Sequence, residues 1–172
     1  MIWADYLTER KWPINYDSDE KHSPYNLDEL KVIKQILIKE ASLVESTGKK
    51  KQVCIIAPYK GQKSKLIYMV KRDSEIQELM KRLLIRIDTV DSIQGRDSEI
   101  VIFSITRNCG SSYFFSNYKR LNVAFSRAKR KLWIVGQRSY TDKVFYREGE
   151  KRVYMLKEIA DTCVNETFTV KD

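Results

Sequence analysis

Apolar positions recur along this chain in two rhythms, and the switches between them predict its elements. Ile2-Trp3-Ala4-Asp5-Tyr6 reads as a strand that starts almost at the first residue. Residues 8–25 are polar, contain Pro13, Pro24 and the acidic run Asp17-Ser18-Asp19-Glu20, and read as a loop. Asn26 can then cap a helix, with Glu29 three residues on as in a capping box. Leu30, Ile33, Leu37, Ala41 and Val44 follow at spacings of three and four, one apolar helical face. Gly48 and the lysines at 49–51 end it as a solvated turn. Val53-Cys54-Ile55-Ile56-Ala57 is a short apolar run rich in β-branched residues, the mark of a strand buried on both faces. Pro58 to Gln62 breaks it. A second helix runs through Leu66, Met69 and Val70, with Asp73-Ser74 interrupting before Ile76, Leu79 and Met80.

Strands are expected at 85–90, 100–105 and 132–135. A short helix is marked by Leu121, Ala124, Phe125 and Ala128, and a closing helix by Val153, Leu156, Ala160 and Cys163. Strands alternate with helices, which predicts an α/β fold: a parallel sheet flanked by helices on both faces. Ligands of such sheets bind beyond the carboxyl ends of the strands. Residues 58–62, 91–97 and the pair Arg107 and Asn108 are expected there.

Composition narrows the picture. The chain has 172 residues, enough for one domain, with 32 Lys and Arg against 23 Asp and Glu, a net +9. That excess favours polyanions such as nucleic acid or an anionic surface. Three dispersed cysteines and a single histidine, His22, argue against a zinc site. Cys54, inside an apolar run, reads as a small core residue, and the pattern fits a reducing cytoplasm or nucleus. No apolar run is long enough to span a membrane.

The candidate chemistry concentrates in residues 87–135. In Val90-Asp91-Ser92-Ile93-Gln94-Gly95-Arg96-Asp97, Gly95 allows a tight turn or a close backbone approach. Thr89, Ser92 and Gln94 offer hydrogen-bonding groups, and Asp97 can accept from a ribose. The same residues read equally well as a polar connection with a capping Asp. Arg120 and Arg127 are seven apart, two helical turns, so the spacing places them on one helix edge beside Leu121, Ala124, Phe125 and Ala128. Such a helix can aim a guanidinium at phosphate oxygens, but the pattern alone favours a surface helix whose arginines meet carboxylates. No GxxxxGK[ST] cradle occurs, and no apolar strand ends in an Asp-Glu pair.

Together these segments resemble the carboxyl-terminal half of a superfamily-one helicase of the up-frameshift (nonsense-mediated decay factor) type. Ala57-Pro58-Tyr59-Lys60-Gly61-Gln62, with Leu66, resembles motif IV. Val90 to Asp97, followed by a strand and Arg107, resembles motif V, and Arg120-Leu121-Asn122-Val123-Ala124-Phe125-Ser126-Arg127-Ala128-Lys129 resembles motif VI. Asp97 and Ser126 stand where that family often has Glu and Thr. The resemblance implies the second of two RecA-like domains of the P-loop NTPase type, occupying residues 1–172 of an excised piece, with the motifs within 54–136. It implies ATP and Mg2+ in a cleft shared with an amino-terminal RecA-like domain that would hold most of both. Arg127 is implied as the catalytic arginine finger. Gly95, Arg96, Asp97 and Arg120 are implied to approach the nucleotide, and Pro58, Tyr59, Thr89 and Ser92 the backbone of single-stranded DNA or RNA. The expectation is therefore an intracellular ATP-dependent helicase half, inactive alone and with no membrane contact. The alternative is a RecA-like module that grips nucleic acid or protein without a motor.

Overall fold

The computed structural model describes residues 1–8, 14–17, 22–44, 48–93, 95–110 and 113–170. Six parallel strands form its centre: β1 (Ile2–Leu7), β4 (Lys51–Ile56), β5 (Leu83–Asp88), β6 (Ser98–Ser104), β7 (Ala128–Val135) and β10 (Val164–Thr169), ordered β10-β1-β7-β6-β4-β5. Two antiparallel hairpins stand apart, β2 (Ile14–Asp17) with β3 (Ser23–Asn26), and β8 (Tyr146–Glu148) with β9 (Lys151–Val153). The helices are α1 (Leu27–Ser42), α2 (Lys60–Arg72), α3 (Ser74–Leu79), α4 (Tyr118–Phe125), α5 (Arg138–Thr141) and α6 (Met155–Thr162), with a 3-10 turn at Tyr113–Ser116.

The central strands point alternate side chains at two separate cores. Val53, Ile55, Ile100, Ile102, Trp133 and Val135 face one core, built with α1, α2 and α3. Cys54, Ile56, Val101, Phe103, Leu132 and Ile134 face the other, built with α4, α5 and α6. Period-two alternation with both faces apolar gives the unbroken hydrophobic runs that the sequence displays. The expected RecA-like α/β sheet with helices on both faces is therefore present.

Local signals explain most boundaries. Asn26 caps α1, its side chain accepting from the N–H groups of Asp28 and Glu29. Asp73 closes α2 and caps α3, accepting from Glu75 and Ile76, so the interruption falls where expected. The capping box is only half made. The Asn26 N–H donates to Gln62 Oε1 at 2.8 Å, and the Glu29 carboxyl turns inward. Gly61 starts α2 against β3, where an added Cβ would run into the Ser23 carbonyl and come within 3.1 Å of that of Pro24.

The structure corrects several expectations. Within the stretch read as a loop, 14–17 and 23–26 pair as a hairpin through backbone bonds that its polar sequence does not advertise; the remainder of the acidic run after Asp17 lies outside the described residues. The strand expected at 85–90 is 83–88, and Val90 is buried in the turn that follows. The helix of motif VI stops at Phe125, because Ala128 already belongs to β7. The β8–β9 hairpin, the edge strand β10, the four-residue α5 and the 3-10 turn were not foreseen; all are short. Lys51, read as part of a turn, begins β4.

Candidate functional site

Both β5 and β6 run parallel to β4, on opposite sides of it. The link between them must therefore return from the carboxyl end of the sheet to its amino end. It does so with only nine residues, 89–97, and with no helix among the described ones. Nine extended residues reach about 30 Å, enough to pass a six-residue strand of about 20 Å. Val90 and Ile93 pin this link to the second core. Gly95 takes a left-handed turn at φ 74° on the way, and the Arg96 carbonyl accepts from the Arg86 guanidinium at 3.1 Å. Gln94 lies outside the described residues.

This short return divides the expected site residues into two groups at opposite ends of the sheet. Pro58, Tyr59, Thr89, Ser92 and Arg107 follow the carboxyl ends of β4, β5 and β6. Asp97 and Arg127 directly precede β6 and β7, at the amino ends, where the Ser98 N–H donates to the Arg127 carbonyl at 2.9 Å. Placing all of 91–97 beyond the carboxyl ends is thus corrected: the segment starts there and finishes at the other end.

At the carboxyl end, Ser92 Oγ lies 2.9 Å from Thr89 Oγ1 and accepts from the Thr89 N–H at 3.0 Å. Together with Lys60, Lys63, Ser64 and Ile67 they line a cleft of about 370 Å3. The cleft is basic, and Lys63 of its wall lies 3.9 Å from the Asp88 carboxylate. Hydroxyls and ammonium groups at a helix start suit an anionic backbone. Beside it, the Tyr59 hydroxyl accepts from Arg107 Nε at 3.0 Å, and the guanidinium carbon sits 5.4 Å from the ring centre. Tyr59 also contacts Phe114, their centroids 6.3 Å apart.

At the amino end, Arg127 donates from Nε to the Val123 carbonyl (3.1 Å), from Nη1 to Asp97 Oδ1 (3.2 Å) and from Nη2 to Ser126 Oγ (3.1 Å). Val123 belongs to the last turn of α4, whose carbonyls carry partial negative charge and welcome a cation. Arg127 is therefore held just past the helix, not along its edge as the seven-residue spacing suggested. Arg120 sits near the start of α4, stacked on Phe114 at 5.6 Å and 3.8 Å from Asp91. It borders the crossing link, toward the end of α4 opposite Arg127.

A third cluster escaped the sequence reading. Asn26, Glu29, Gln62, Ser104 and Thr106 are fully buried between α1, α2 and the end of β6. Burial pushes the Glu29 carboxyl up to about 8; bonds from Ser104 and Thr106 pull the other way, and the Asp28 charge adds to the rise. In the sequence Gln62 stands only as a motif letter and Glu29 only as a capping-box residue, since burial of a polar side chain leaves no periodicity to read.

Comparison with known proteins agrees with this architecture. A family model described as AAA domain matches residues 3–139. The chain belongs to this AAA-domain family and is a superfamily-one helicase domain. It is 31% identical over 147 residues to the MOV-10 protein of Gallus gallus, covering 74% of this chain and 15% of that one. It is 30% identical over 131 residues to the helicase SEN1 of Saccharomyces cerevisiae, covering 72% and 6%. It is also 33% identical over 132 residues to an ATP-dependent helicase of Methanocaldococcus jannaschii, covering 73% and 17%. The helicase domain thus spans less than a fifth of each of these relatives. Among the described residues, no helix is long and apolar enough to cross a membrane, and no group of three or more His, Cys, Asp or Glu could hold a metal ion.

Proposed function

We propose that this domain is the carboxyl-terminal motor half of an ATP-dependent helicase or translocase acting on single-stranded DNA or RNA. The observation that carries the proposal is the position of Arg127. Its guanidinium is anchored at Nε by the end of α4, while its Nη1 faces outward on Asp97. The Asp97 partner is 43% exposed, and an exposed pair of this kind is worth about 0–1 kcal/mol. A phosphate arriving from a neighbouring domain can displace it at little cost. Arg127 then serves as the arginine finger, with Asp97 released toward the nucleotide's sugar and Arg96 and Gly95 alongside. Arg120, borne on the same helix, supplies positive charge nearer the crossing link.

The residues present suit the nucleotide's phosphates but not its metal. Arg127 has the planar, permanently charged fork that phosphate oxygens require. The carboxylates that would hold Mg2+ are assigned to an amino-terminal RecA-like domain, together with the phosphate cradle. When bound, ATP would supply the energy for movement. The carboxyl-end cleft of Thr89, Ser92, Lys60 and Lys63, with Pro58 and Tyr59, holds the strand through its backbone. Nucleotide and strand thus occupy opposite ends of one sheet, joined by the short 89–97 link and by α4.

The test is Arg127→Ala in the full-length protein. ATP turnover should fall by about 10³-fold or more, with strand binding and thermal melting near wild type. Turnover within a few-fold of wild type would remove Arg127 from the role. The same domain alone should hydrolyse no ATP.

A further inference from the structure

Behind the Tyr59–Arg107 pair, five fully buried residues close a ring of hydrogen bonds. The Asn26 N–H donates to Gln62 Oε1 at 2.8 Å, and Gln62 Nε2 donates to Ser104 Oγ at 3.0 Å. Ser104 Oγ donates to Glu29 Oε2 at 2.5 Å, and the Thr106 N–H reaches both Glu29 oxygens at 2.8 Å. Asn26 Nδ2 returns to the Thr106 carbonyl at 3.1 Å. The ring therefore grips the Thr106 peptide units from both sides.

Thr106 needs gripping. Its φ is 70°, left-handed, where a β-branched side chain is a strained outlier. Glycine would take this turn with less strain but would leave it free to move. A threonine held by a buried carboxyl gives one fixed conformation instead. Burying that carboxyl is itself unfavourable unless its bonds are made. Two unfavourable features meet here, and the residue they jointly fix is the next one, Arg107.

We propose that Glu29 is a positioning residue for strand binding: it locks the Thr106 turn, and so sets the Arg107 guanidinium, stacked on Tyr59, against a backbone phosphate of a single strand. The inference rests on the carboxyl end of the sheet being the strand-binding face. It adds Arg107 to the phosphate contacts there and gives α1 a part in shaping them. If the lock opens, Thr106 relaxes toward ordinary φ and Arg107 swings off Tyr59.

The 172-residue chain is titrated with short fluorescein-labelled oligo-dT and oligo-U across a salt series, and anisotropy gives the slope of log affinity on log salt. Arg107→Ala should weaken binding several-fold and lower that slope by about one. Glu29→Ala should do the same, and the double variant should be no weaker than Arg107→Ala alone. Glu29→Gln, which keeps an acceptor for Thr106, should restore the wild-type slope. Glu29→Leu fills the same space and replaces the alanine variant if that chain does not fold. In the wild type, the Thr106 amide should exchange with solvent as slowly as the core. A full slope in Glu29→Ala, additive losses in the double variant, or a rapidly exchanging Thr106 amide overturns the inference. A wild-type chain that binds neither oligonucleotide overturns it together with the strand-binding reading. A slope that depends on Arg107 but ignores Glu29 overturns the positioning role alone.

Discussion

At the scale of single residues, the visible charges and the stabilising groups are different sets. The Arg127–Asp97 pair lies at the rim, with Asp97 43% exposed. Asp97→Asn should therefore change the unfolding free energy by less than about 1 kcal/mol, read from urea midpoints. Asn26 is neutral and fully buried. Its side chain caps α1 and donates to the Tyr6 hydroxyl at 2.9 Å and the Thr106 carbonyl. Asn26→Ala should cost about 2–4 kcal/mol, the loss of a cap plus the stranding of buried partners. The same titration checks both; a costlier Asp97→Asn would mean that the rim pair is structural. The cap was legible in the sequence because a polar residue before an apolar helical face has a local meaning. The bonds to Tyr6, Gln62 and Thr106 were not, since they join residues 20 to 80 positions apart and depend on the completed sheet.

At the scale of elements, legibility followed burial. The strands at 53–57, 100–105 and 132–135 were readable because both their faces are apolar, and a core strand has no other way to satisfy its side chains. The β2–β3 hairpin and β10 were not, because an edge or satellite strand is held mainly by backbone bonds. The end of α4 was misjudged because Ala128 fits a helical spacing and a buried strand start equally well. The largest consequence came from the 89–97 link: its composition identified a turn but not that it recrosses the sheet. The hairpin has a role that a loop reading misses. Gly61 N–H donates to Ser23 Oγ at 3.0 Å, so β3 is a seat for the start of α2, which carries Lys60, Lys63 and Ser64. Gly61→Ala should push this helix off β3, at about 1–3 kcal/mol. The melting temperature should drop, and oligonucleotide affinity should fall with it. An unchanged melting temperature would mean that the helix start shifts freely.

At the scale of the whole molecule, the buried Glu29 ties stability to pH. Its carboxyl moves from an ordinary 4.5 to about 8 on folding, chiefly through burial. Below about 4.5 the folded and unfolded chains both hold the proton, and the group gives no slope. Between about 4.5 and 8 the unfolded chain has released its proton while the folded chain keeps it. The folded state then binds more protons, so stability falls as pH rises, by at most ~1.4 kcal/mol per pH unit. Above about 8 both states are ionised and the slope vanishes. Other shifted groups act outside this window. Asp73 is lowered below 3.8 by its bond to Lys34, so its contribution is lost only in stronger acid, and Lys34 is raised above 10.5. Urea unfolding of the wild type and of Glu29→Gln, at several pH values from 5 to 8, isolates the effect. The wild type minus Glu29→Gln difference should decline steadily toward pH 8. A flat difference would mean that Glu29 ionises in the folded chain as easily as in water, and that the ring around Thr106 already stabilises its charge.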